Sequence, residues 1–194
     1  MPTTHTWRLA AGTHILNPCT FKHAPRSHGG AEIFVKLRQY SGQDREHIVS
    51  HPLQPDGTPS AEGWSDATDF SLSRLSAPAA PAAAGAPAAA ARAFALYTSP
   101  SYPESIRLLQ VPAQSSLTPT NLEECDSRFA GAELFVVHGA VTVQQTDGVA
   151  VWKLLQRSWL RLPALLACFT LANAADSDAF VYLKQNHLPN EAVA

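Results

Sequence analysis

Paired cysteines are the first thing this chain lacks. Its three cysteines are Cys19, Cys125 and Cys168, and none forms a C-x-x-C. An odd count without that spacing argues against a disulfide framework, and fits reduced thiols in a cytoplasmic protein. Charge is scarce too. Fourteen Lys and Arg stand against 16 Asp and Glu, so the net charge is -2 and only 15% of residues are charged. No block of basic residues offers a phosphate-binding stripe, so nucleic acid is not an expected partner. The sequence has no Gly-x-Ser-x-Gly, no P-loop and no Gly-x-Gly-x-x-Gly. From Met1 to Arg8 no basic region precedes an apolar run, which excludes a signal peptide there. The apolar stretch from Leu160 to Ala175 contains Arg161 and Pro163. It falls short of the ~18–20 residues that cross a bilayer, so it is expected to be buried barrel sequence and no membrane partner is expected.

What is present is apolar and rich in turns. Hydrophobic residues make up 45% of the 194, with 15 prolines and ten glycines. That suits a globular core built from short elements rather than long helices. The chain also repeats itself. Trp7, Arg8, Leu9 and Pro18 fall on Trp152, Lys153, Leu154 and Pro163 at one constant offset. After one inserted residue, Phe34-Val35-Lys36-Leu37-Arg38-Gln39 falls on Phe180-Val181-Tyr182-Leu183-Lys184-Gln185. A duplication of this kind implies two related structural units.

Short strands are expected throughout. Trp7–Leu9 and Thr13–Leu16 read as two strands joined through Gly12, and Glu32–Arg38 reads as a strand with Ile33, Val35 and Leu37 on one face. His47–Val49 is a further short candidate, and Phe70–Leu75 alternates weakly. Residues 76–92 are almost all alanine and proline and read as a semi-extended linker. Order resumes at Phe94. About eight strands are expected between Phe94 and Lys184, with 112–125 a loop, turns at His138-Gly139 and Asp147-Gly148, and one strand somewhere in Leu165–Leu171. That count and spacing fit an antiparallel double-sheet barrel or jelly roll.

The same residues resemble a known family. Gly12-Thr13, Asn17-Pro18, His23-Ala24-Pro25 and Phe34-Val35-Lys36-Leu37 resemble the closing half of a ChrR-type cupin. Residues 94–187 resemble an entire cupin of that type: Glu104–Pro112, Glu133–Gly139, Ser158–Pro163 and Phe180–Lys184 stand in the family's order. The resemblance implies an all-β cupin (RmlC-like) jelly-roll barrel with a partial second unit. Residues 1–50 would be the closing half of a first cupin, 51–92 loop and linker, 93–188 a complete barrel and 189–194 a tail. In the family, three histidines and a glutamate hold zinc or iron, either for sensing in an anti-sigma factor or for dioxygen chemistry.

Carried over residue by residue, Glu133 matches the metal-binding glutamate. Ser127 and Phe129 stand where the paired histidines belong, and Cys168 stands where the last histidine belongs. In the first unit His23 matches that last histidine, and Cys19 stands four residues before it, a C-x-x-x-H spacing compatible with zinc. The candidate metal residues are therefore His23, Glu133 and Cys168. Zinc or iron is expected only if further ligands complete a site. The blander roles are a strand-end carboxylate for Glu133, a small buried residue for Cys168 and a barrel histidine for His23. Asp66 and Asp69, beside Trp64, could pair as acid and base but read more simply as loop carboxylates. Three functions follow from the resemblance. One is a binding cupin without complete metal chemistry, another a metal-dependent dioxygenase completed by oligomerisation, and the third an anti-sigma-like sensor. A half-unit would expose sheet edges and an apolar face. Residues 1–50 are therefore expected either to pack on the complete barrel or to form a homodimer.

Overall fold

The structure is a computed structural model. It describes residues 6, 8–9, 13–16, 24–31, 33, 35, 47–49, 53–54, 59–60, 62–66, 70–75, 90–98, 104–119, 129–145, 148–163 and 169–187. Every regular element among them is a β-strand, and no helix there is long and apolar enough to cross a membrane. Two short strands, β1 (His14–Leu16) and β2 (His47–Val49), pair antiparallel with Ile15 opposite Ile48. The remaining strands are β3 (Trp64–Asp66), β4 (Phe70–Arg74), β5 (Arg92–Thr98), β6 (Glu104–Val111), β7 (Ser115–Pro119), β8 (Phe129–His138), β9 (Ala140–Gln145), β10 (Val151–Leu155), β11 (Trp159–Pro163), β12 (Phe169–Asn173) and β13 (Ala179–His187).

These eleven form two antiparallel sheets. One runs β11-β8-β13-β6-β5-β3 and the other β10-β9-β12-β7-β4. Apart from the hairpins β5–β6 and β9–β10, consecutive strands pass from one sheet to the other, as in a jelly roll, and the expected all-β antiparallel double-sheet architecture is what the structure shows. Alternation along each strand decides which residues meet in the middle. From the six-stranded sheet Leu109, Val111, Leu134, Val136, Leu162, Val181 and Leu183 point inward. From the five-stranded sheet Leu117, Val141, Val143, Leu154, Phe169 and Leu171 meet them. Burial of this set supplies the main driving force for closure.

One end of the sandwich is closed by polar groups. Asn173 is fully buried; its Nδ2 donates to the carbonyls of Val111 (3.0 Å), Pro112 (3.1 Å) and Ser177 (2.9 Å), and its Oδ1 accepts from Ala175 N (3.0 Å). Asp178 accepts from Ala113 N at 3.0 Å and from Gln110 Nε2 at 2.5 Å. Buried carbonyls at this end are thus satisfied by the last side chain of β12, and the Ala113 amide by Asp178 of the β12–β13 connection. Gly139 makes the expected turn between β8 and β9 with φ of 78°. A Cβ there would stand 3.1 Å from that of Ala179, so the position needs glycine for both its backbone and its space.

The structure departs from the sequence expectations in four places. Ser115–Pro119, expected in a loop, is strand β7, sandwiched between β12 and β4; its alternation is hidden because Ser115 and Ser116 are both buried polar residues. Nine strands rather than eight therefore lie between Arg92 and His187. The stretch read as loop and linker also supplies β3 and β4, the outer strands of the two sheets. Outer strands are solvated on one edge and need little apolar signal. β1 pairs with His47–Val49; of the expected partner strand, Arg8 and Leu9 lie outside any strand and Trp7 lies outside the described residues. Finally, Ile33 and Val35 lie outside any strand and are 62% and 63% exposed. An alternating segment becomes a strand only where a neighbour accepts its ladder, and no described residue does so here.

Candidate functional site

Charge inside the barrel domain gathers on the outer face of the six-stranded sheet. On β13 the odd-numbered Val181 and Leu183 enter the inter-sheet core, so Phe180, Tyr182 and Lys184 point the other way. Lys184 stands directly opposite Glu133 of β8 and Ile106 of β6. Glu104, two residues before Ile106 on β6, reaches across to it: Lys184 Nζ lies 2.5 Å from Glu104 Oε2, and both side chains are 4% exposed. Opposed residues on neighbouring strands share a face, which sets Glu133 beside this pair. Glu133 is itself buried.

Tyr182 lies between Leu108 and Phe135 in the same face. Burial, then the negative charges of Glu104 and Glu133, push its hydroxyl far above the ordinary tyrosine range. It therefore stays a neutral donor across the physiological range. Beyond it the face turns aromatic. Trp64 packs edge-on against Phe94 (5.6 Å between ring centroids) and Phe180 (6.1 Å), with the Arg92 guanidinium carbon 5.5 Å above its ring. His138 approaches Phe180 at 6.3 Å.

Two buried carboxylates, one ammonium and a protonated phenol make an electrostatic anchor. Pairing across three strands ties β13 to β6 and β8, and desolvation makes the pair intolerant of losing one partner. The arrangement holds charge and directs a hydroxyl; among the described residues it gathers no three His, Cys, Asp or Glu side chains that could hold a metal ion.

The expected metal residues are placed unequally. Glu133 lies on the outer face, one position from the inward-pointing Ala132 and Leu134. Phe129 begins β8, paired with His187. His23, Cys168 and Ser127 lie outside the described residues, as do Cys19 and Asp69. Asp66 ends β3 opposite Arg92. The structure thus brings Glu133 to Lys184, Glu104 and Tyr182, a grouping the sequence reading missed. Its signal was nonetheless there: Glu104 and Lys184 carry charge within strands otherwise apolar, at the same parity as Phe180, Tyr182, Ile106 and Leu108.

Comparison with known proteins gives matches at the level of structure. No family model matches the chain, and neither does any curated protein sequence. A Cupin_2 domain of an XRE-family transcriptional regulator from Enterobacter cloacae overlays with a TM-score of 0.44 at 9% identity, covering 51% of this chain and 98% of that one. A Cupin 2 conserved barrel domain protein from Salinispora arenicola gives 0.38 at 13% identity, over 50% of this chain and 75% of that one. A polyketide cyclase from Streptomyces resistomycificus gives 0.39 at 11% identity, over 51% and 68% respectively. The jelly-roll description stands on the strand order and the face-to-face packing of the two sheets, not on these scores.

Proposed function

We propose that this chain is a ChrR-like cupin that works as a binding module rather than a metal-centred catalyst. The observation that carries this reading is the orientation of Glu133. The resemblance assigns it a metal inside the barrel, yet it lies on the outer face opposite Lys184, while Ala132 and Leu134 on either side of it fill the core. A carboxylate in that position completes an ion cluster and does not face the space between the sheets. The replacement of the paired histidines by Ser127 and Phe129 supports the same conclusion, since a side chain such as Phe129 has no donor atom to offer. What the module binds is set by surfaces other than a metal centre.

Metal content tests this. The full chain, expressed with zinc and iron supplied and then desalted, is expected to carry far less than one metal per chain. About one zinc or iron per chain, the stoichiometry of a closed structural or open catalytic site, would contradict the proposal. Loss of that metal on Glu133→Ala would then point to the dioxygenase or sensor chemistry of the family in the complete barrel, and loss on His23→Ala to the first unit.

A further inference from the structure

The segment formed by β10, β11 and the turn between them shows one unbroken face to solvent. In both strands the even-numbered residues turn inward: Leu154 and Leu162 enter the core, and Trp152 and Leu160 pack against it. The odd-numbered residues are exposed, and this parity carries through the turn. In order they are Val151, Lys153, Leu155, Arg157, Trp159 and Arg161, so apolar and cationic side chains alternate. Val151, Leu155 and Trp159 are each more than half exposed. Apolar residues gathered on a surface in this way mark a contact site. The charge is also one-sided. No Asp or Glu lies between Asp147 and Asp176, although the whole chain is net -2. Neighbouring strands do not neutralise the stripe. β9 sets Gln144, Thr142 and Ala140 beside Val151, Lys153 and Leu155. β8 sets Glu133 beside Arg161, but Glu133 is buried. Among the described residues neither Lys153 nor Arg161 is in an ion pair. Arg157 keeps its cation at φ of 71°, a left-handed backbone that favours glycine. Finally, β11 ends its sheet, with β8 as its only strand neighbour among the described residues. An outer strand of this kind offers backbone groups to which an extended segment can add. Trp159, opposite the half-buried Phe135, gives that edge an aromatic anchor.

We propose that β11 and the stripe beside it form a docking surface for an extended acidic segment of a partner protein. The segment adds as a strand on the outer edge of β11. Side chains two apart on an added strand share a face, so an apolar one meets Trp159 while a carboxylate meets Arg161. Arg157 and Lys153 extend the positive field and speed the encounter. A lipid surface would meet the same cations but leave the backbone edge of β11 unpaired, which makes a peptide the better occupant. The inference deepens the binding-module reading yet stands on this surface alone, so a metal found in the barrel would leave it intact.

The probe is a labelled octapeptide alternating valine and glutamate, titrated into the full chain and followed by fluorescence anisotropy. Saturable binding is expected, weakened in about 1 M salt, where the screening length falls to about 3 Å. Trp159→Ala and Arg161→Ala should each weaken it by about tenfold. Charge reversal gives a readout that a folding defect would not produce: Arg157→Glu with Arg161→Glu should shift preference to a valine–lysine octapeptide. The proposal is overturned if the valine–glutamate peptide does not bind, if a valine–glutamine version binds as tightly, or if charge reversal leaves the preference unchanged. Tighter binding to phosphatidylserine vesicles, lost on Trp159→Ala, would overturn it in favour of a membrane surface. A parent dimer that Trp159→Asp makes monomeric would overturn it in favour of a second copy of the chain.

Discussion

The same short sequence has two fates in this protein. Leu154, in the second copy of the repeat, is 6% exposed and part of the inter-sheet core, while its counterpart Leu9 is 47% exposed. Val181 is fully buried, while its counterpart Val35 is 63% exposed. The difference lies in what surrounds each copy. Val181 has β6 on one side and β8 on the other, with Leu171 and Leu117 across the sandwich. Neither Leu9 nor Val35 has a strand ladder among the described residues. Pattern proposes a strand; neighbours decide whether it forms, because an isolated strand buries too little to offset its ordering.

The comparison breaks most sharply at the ion pair that fixes β13. Lys184→Ala leaves Glu104 buried beside Glu133 without its cation, and is expected to cost about 3–5 kcal/mol in urea unfolding. In the first copy, Val35→Ala, at a position 63% exposed, is expected to stay within about 0.5 kcal/mol, as surface substitutions do. Equal effects would mean that the first copy carries the same load as the second. Next in size is the leucine pair. Leu154→Ala should cost about 2–5 kcal/mol through lost burial and a cavity, and Leu9→Ala about 0.5 kcal/mol or less; both are read from the same denaturation midpoint.

The smallest effect is a dependence on pH. The Tyr182 hydroxyl titrates higher in the folded chain than in the unfolded one, so its contribution is fully present below the unfolded value, about 10. It is lost as pH rises from there toward the folded value, because the unfolded chain releases its proton first. Tyr182→Phe should flatten the fall in melting temperature above about pH 10 while leaving neutral pH nearly unchanged. An alkaline limb identical to that of the parent would remove Tyr182 from the account.

Much of the barrel was legible in advance. Ala132–Val137 is strongly apolar, Ala140–Gln145 alternates and Ala179–Lys184 reads as a strand, and each lies within a strand at that place. The turn at Gly139 follows from its chemistry alone. β7 was hidden by its serines: Ser115 Oγ donates to Pro112 O at 2.6 Å, and a satisfied hydroxyl is buried as readily as a methyl group. β3 gave no signal and β4 only the weak alternation of Phe70–Leu75, since outer strands are paired on one edge and need little apolar pattern. The candidate site was less legible. Resemblance supplies the identity of Glu133 but not the direction of its side chain. That direction follows from register, and shifting by one residue sends a side chain to the other face. Register across β8, β13 and β6 is a property of three strands together, which no single segment of sequence contains.

Backbone hydrogen exchange at the matched positions tests the central contrast most directly. The amides of Leu154, Val181 and Leu183 should exchange only through opening of the barrel, and those of Leu9, Ile33 and Val35 at close to the rate of an unstructured peptide. Comparable protection of Val35 and Val181 would contradict it, because the first copy would then hold a strand position of its own.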